Sequence, residues 1–81
     1  MESMYNSIMS CAKYNQDPEN YATAYNKINL LNDLKRYARI MSVDFDSLDC
    51  PMGQLEEDES WSTTDYHRTC WFATKIRSLS C

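Results

Sequence analysis

Met1, Met4, Tyr5, Ile8, Cys11 and Ala12 return at steps of three and four, the spacing that lines apolar side chains along one stripe of a helix. The pattern predicts a first helix reaching to about Tyr14. Asn15-Gln16-Asp17-Pro18-Glu19 then carries a start signal. Asp17 can accept from orphan amides, Pro18 suits a first helical position, and Glu19 favours the positive end of the dipole. A second helix is therefore predicted from Pro18. Its apolar positions from Tyr21 onward are Ala24, Tyr25, Ile28, Leu31, Leu34, Ala38 and Met41, widened in the second half by Leu30, Tyr37 and Ile40. So wide a stripe implies contact with more than one neighbouring element, and the helix is expected to end near Met41 or Ser42.

Beyond that point Asp, Ser, Pro and Gly break any helical pattern, so residues 43–61 read as a connection with room for one short turn, pinned by Phe45 and Leu48. Ser62-Thr63-Thr64-Asp65 has the spacing of a capping box, a hydroxyl at the cap and an acid three residues on. A third helix should follow, with Tyr66, Cys70, Ala73, Ile76 and Leu79 or Ser80 on its inner stripe and Trp71 and Phe72 broadening it. A strand over residues 67–76 is the competing reading, since Thr, Cys, Trp and Phe tolerate strands. Helix is preferred, because strict alternation is absent and a lone strand finds no partner elsewhere in the chain. The expected fold is a single all-α domain, a small three-helix domain with a long acidic loop between helices two and three.

Length supports that reading: 81 residues cannot divide into two units that each bury a core. No uncharged run approaches the roughly 20 apolar residues that span a bilayer, so no membrane is expected. The N-terminus begins with an acid and lacks the basic start and apolar run of a secretory signal, and no Asn-x-Ser/Thr sequon occurs. A cytoplasmic, intracellular location is expected, with all four cysteines (Cys11, Cys50, Cys70, Cys81) reduced and metal-free. Cys70, on the inner stripe, should be the most protected. In a secreted chain the same cysteines would suggest two disulfides.

Charge is distributed unevenly. Residues 1–41 carry five bases against four acids, residues 42–65 carry eight acids and no base, and residues 66–81 carry three bases, for a net −4. An acidic connection that also holds aromatics can dock on a basic protein surface, the carboxylates steering approach and the aromatics anchoring. The candidate partner-binding residues are Asp44, Phe45, Asp46, Asp49, Glu56, Glu57, Asp58, Glu59, Trp61 and Asp65. The plainer reading of the same segment is a solvated connector with its aromatics turned inward.

Scarce residues exclude much chemistry. With Gly53 as the only glycine there is neither a dinucleotide fingerprint nor a phosphate-cradling loop. No cofactor is expected, and an enzyme is not, since no nucleophile has an orienting base and oxyanion donors beside it. Cys50, His67, Cys70 and Cys81 offer a tetrahedral zinc or redox-responsive set as an alternative, although their spacing follows no finger or ribbon pattern. Lys35, Arg36 and Arg39, near Tyr21, Tyr25 and Asn32 on the second helix, offer a second alternative in single-stranded nucleic acid. Eight uncompensated acids make nucleic acid an unfavoured ligand for the connection itself.

Asp46-Ser47-Leu48-Asp49 resembles the Asp-Ser-Leu signature at which acyl carrier proteins receive phosphopantetheine on the serine. In that family the serine opens a helix, whereas here Pro51 and Gly53 interrupt the chain at once. The expected function is a non-enzymatic protein–protein interaction module, an inhibitor or regulator that lays its acidic surface on a basic site of a larger macromolecule. In size and charge alone it is similar to the proteins phages encode against host systems.

Overall fold

The computed structural model describes residues 2–16, 27–57 and 60–80. The protein is all-α, with α1 at Glu2–Asn15, α2 at Lys27–Ile40 and α3 at Thr63–Leu79. A 3-10 turn, Phe45–Ser47, lies between α2 and α3, and no strand occurs among the described residues. The expected start of the second helix at Pro18, with Tyr21, Ala24 and Tyr25, falls outside the described residues.

The helices meet around Ile8 and Ala12 of α1, Leu30, Leu31, Leu34, Tyr37 and Ala38 of α2, and Phe72, Ala73 and Ile76 of α3, all buried. Leu30 and Leu31 are adjacent in sequence, and Tyr37 and Ala38 likewise, so α2 buries a wide face against both other helices, as its apolar pattern requires. Ile40, expected to widen that face, stays 48% exposed at the helix end.

α2 stops through backbone geometry. Ser42 adopts a left-handed φ of 61°, Val43 N–H donates to the Ala38 carbonyl at 2.8 Å, and Ser42 N–H donates to the Arg39 carbonyl at 3.1 Å. This is the Schellman arrangement, with serine where glycine is usual. α3 begins at the capping box its sequence announced: Ser62 Oγ accepts from Asp65 N–H at 3.2 Å, and Asp65 Oδ2 accepts from Ser62 N–H at 3.2 Å.

The inner face of α3 differs from expectation. Asp65, Thr69, Phe72, Ala73 and Ile76 are buried, while Tyr66 and Cys70 are half-buried and Leu79 is 52% exposed. At 100° per residue the buried face is turned by about 45° from the purely apolar stripe through Leu79. The cause is polar. Thr69 Oγ1 donates to the Asp65 carbonyl at 2.9 Å, and Asp65 is held by cations, so both residues can enter the core with their hydrogen bonds met. Cys70 is accordingly not the most protected thiol: Cys50, only 4% exposed, is buried, while Cys11 and Cys70 are intermediate.

Candidate interaction surface

The connection between α2 and α3 is fastened at several points. Asp44 caps the 3-10 turn by accepting from Asp46 N–H at 3.2 Å, and Ser47 Oγ donates to the Asp44 carbonyl at 2.7 Å. Ser47 thus closes a turn and opens no helix, unlike the serine of the carrier-protein signature. Cys50–Gly53 forms a β-turn, Gly53 N–H to Cys50 carbonyl at 3.0 Å, with Pro51 second and Gly53 last, positions each residue favours. Gly53 has φ +96°, and a Cβ there would stand 3.3 Å from the Arg68 guanidinium. Leu48, Cys50 and Leu55 are buried beneath the connection, and Gln54 Nε2 donates to the Leu48 carbonyl at 3.1 Å.

Both aromatics of the connection turn inward. Phe45 is half-buried and stacks on Phe72 with ring centroids 4.9 Å apart. Trp61 is half-buried, and its indole Nε1–H donates to Gln16 Oε1 at 2.8 Å, tying the end of the connection to the end of α1. Neither ring stands out as a free anchor. The exposed apolar side chain on this surface is Met52, 39% exposed at the β-turn, a residue the sequence pattern did not single out.

The carboxylates divide into two groups. Asp44, Asp46, Asp49, Glu56 and Glu57 are exposed, and Asp58 and Glu59 lie outside the described residues. Asp65 is not part of this surface, which corrects its assignment to the docking set. It is 3% exposed, with Oδ2 3.1 Å from Lys27 Nζ and Oδ1 2.9 Å from Arg68 Nη1, and it also receives the Ser62 amide. Arg68 Nε in turn donates to the Met52 carbonyl at 2.9 Å, so one guanidinium joins the cap of α3 to the β-turn. Lys27 and Arg68 carry no motif, and only the folded chain reveals that they share Asp65.

The bases of α2 lie close to part of the acidic surface. Asn32, Lys35, Arg36 and Arg39, at helical spacing, form one wall of a groove of about 570 Å³. Asp44, Phe45 and Asp46 form the other. Lys35 Nζ reaches Glu57 at 3.7 Å, and Arg36 pairs with Asp33 at 2.9 Å within the helix. The acids beside these bases weaken the case for a phosphate ligand here. Tyr21 and Tyr25, the stacking residues of that reading, lie outside the described residues.

Cys50, His67 and Cys70 do not assemble into a metal site: among the described residues no three His, Cys, Asp or Glu side chains gather to hold an ion, and Cys81 lies outside them. Burial pushes the Cys11 thiol above its ordinary value, with the nearby Asp33 charge adding to the effect. Burial likewise raises Cys70, against a hydrogen bond with Tyr66 that pulls it down, and Tyr66 is raised chiefly by the Cys70 charge. Thiols held protonated are poor ligands and poor nucleophiles.

No described helix is long and apolar enough to cross a membrane. Compared with models of protein families, with curated proteins and with solved structures, the chain matches none.

Proposed function

We propose that the protein is a non-enzymatic interaction module that presents the acidic connection between α2 and α3 to a basic surface of a larger protein, as an inhibitor or regulator. The observation that carries this reading is the fixing of exposed carboxylates on a fastened backbone. Asp44, Asp46, Asp49, Glu56 and Glu57 face solvent, while Leu48, Cys50 and Leu55 of the same connection are buried. Charges so held lose little freedom on binding, which favours affinity as well as long-range steering. Met52 supplies the apolar contact, and Phe45 and Trp61 act by holding the connection in place.

The test is a biosensor measurement on the partner recovered by affinity capture, comparing the parent with a variant carrying Asp49→Asn, Glu56→Gln, Asp58→Asn and Glu59→Gln. Association should slow by about tenfold for the variant at low ionic strength, and the difference should shrink as salt screens the field. Equal association rates for the two proteins at low salt would reduce the connection to a solvated linker.

A further inference from the structure

The groove between α2 and the 3-10 turn has walls of opposite sign. Lys35, Arg36 and Arg39 line one side, Asp44 and Asp46 the other. Opposed charges on one small surface ordinarily neutralise each other, yet here they do so incompletely. Arg36 is engaged by Asp33 of its own helix and Lys35 by Glu57 at 3.7 Å, whereas Arg39 closes no ion pair with either aspartate of the facing wall. Arg39, Asp44 and Asp46 are all exposed. Asp44 spends one carboxylate oxygen on the Asp46 amide and keeps the other for a partner.

A surface with a cationic wall beside an anionic wall is its own complement. A two-fold axis through the mouth of the groove lays the cationic wall of each copy on the anionic wall of the other, and every pairing is made twice. Phe45, half-buried between the two aspartates, also lines the groove and gives such a contact an apolar component. An isolated anion would meet Asp44 and Asp46, and an isolated cation would meet Arg39; a second copy satisfies both walls together.

We infer that the groove formed by Asn32, Lys35, Arg36 and Arg39 of α2 with Asp44 and Asp46 is a self-association site, at which two copies of this chain pair about a two-fold axis through reciprocal contacts between Arg39 and the aspartates. The inference does not rest on the docking role of the rest of the acidic connection. The contact is weak, because exposed ion pairs contribute little each and two molecules of net charge −4 repel at a distance. It is best observed near ~0.15 M salt, where a Debye length of ~8 Å screens the net repulsion but leaves pairs in contact largely intact.

Charge reversal across the axis provides the test. The parent, Arg39→Asp, Asp46→Arg, the double variant and an equimolar mixture of the two single variants are sedimented in reductant at protein concentrations up to ~1 mM, where a dissociation constant of that size remains visible. The parent should rise from its 9.5 kDa monomer mass toward twice that value. Each single variant places like charges on both halves of the contact and should associate at least ~10-fold more weakly. In the mixture, the aspartate introduced at position 39 of one chain meets the arginine introduced at position 46 of the other, while the second half of the contact keeps its native pair. Association should therefore return, as it should in the double variant. Circular dichroism confirms that each variant is folded; should a reversal unfold the chain, Arg39→Gln and Asp46→Asn replace it and must also weaken association. A parent that stays monomeric throughout overturns the inference. So does a pair of single variants that associate like the parent, or a mixture that fails to regain what each has lost.

Discussion

Asp65 and Glu57 are both acids from the same uncompensated stretch of chain, and the fold treats them oppositely. Asp65 is taken out of water between Lys27 and Arg68 and accepts the amide of Ser62, whereas Glu57 stays in solvent with its side chain 71% exposed and a single lysine at 3.7 Å. What separates them is the supply of donors. A buried carboxylate is tolerable only when cations and amides replace its hydration, and Lys27 of α2, Arg68 of α3 and the Ser62 amide supply both. The comparison is broken most severely by Asp65→Ala. That change strips the charge from beside buried Lys27, opens the capping box and frees the guanidinium that holds the Met52 carbonyl. A loss of about 3 kcal/mol is expected, on the scale of breaking a buried pair by removing one partner. In a chain of this size it should appear as a fall of more than about 10 °C in the melting temperature. A shift of only a degree or two would place Asp65 with Glu57, as a surface charge.

Within the connection the same contrast separates aromatics from acids. Trp61 is half-buried and donates to Gln16, so its contribution is to folding. Trp61→Ala should cost about 2 kcal/mol, less than a fully buried aromatic because part of the ring already faces water. Trp61→Phe keeps most of the packing and should cost about 1 kcal/mol for the lost hydrogen bond. Melting curves measure both, and an unchanged melting temperature for Trp61→Ala would return the indole to the docking surface.

The half-buried thiols sharpen the comparison through pH. Burial, with Asp33 assisting at Cys11, raises Cys11 and Cys70 above their ordinary value of 9.0. The unfolded chain ionises these thiols first, so the fold favours their protonated form. Their contribution is complete below pH 9.0 and is lost as pH climbs through the raised folded values. Melting temperature should decline modestly as pH rises above 9.0, and Cys11→Ser with Cys70→Ser should flatten the decline. An equally steep decline in the double variant would assign the alkaline loss to other groups.

Legibility followed the distance over which a residue's fate is decided. The cap Ser62-Thr63-Thr64-Asp65 was readable because its hydrogen bonds close within four residues, and the stripe of α2 because helical periodicity is local. The orientation of α3 was not. Nothing near Asp65 in sequence announces that Lys27 will meet it, and a rule that sends acids outward turns the inner stripe toward Tyr66 and Cys70. Ser42 escaped for a related reason: its left-handed conformation is imposed by the carbonyls of Ala38 and Arg39, and serine is not the residue that advertises it. The candidate surface was legible as charge and illegible as shape. Composition located the acids, but only the packing of Phe45 on Phe72 and the bond from Trp61 to Gln16 revealed that the aromatics beside them face inward.

The smallest expected effect belongs to the exposed acids themselves. Glu57 is the one with a described cation partner, yet both side chains of that pair are well exposed, Lys35 at 44% and Glu57 at 71%. At such exposure, solvent screening and the cost of ordering two long side chains cancel most of the attraction. Glu57→Gln should therefore move stability by less than about 0.5 kcal/mol, and neutralising Asp49 and Glu56 as well should leave it within that range or slightly higher, because acids without cations nearby repel one another. Chemical denaturation of the parent and the triple variant at low salt measures the difference. Near-equality would leave these carboxylates outside the folding energetics, as the docking reading requires. A loss of more than about 1 kcal/mol would instead make the connection's charge part of the folding energetics, erasing the contrast with Asp65.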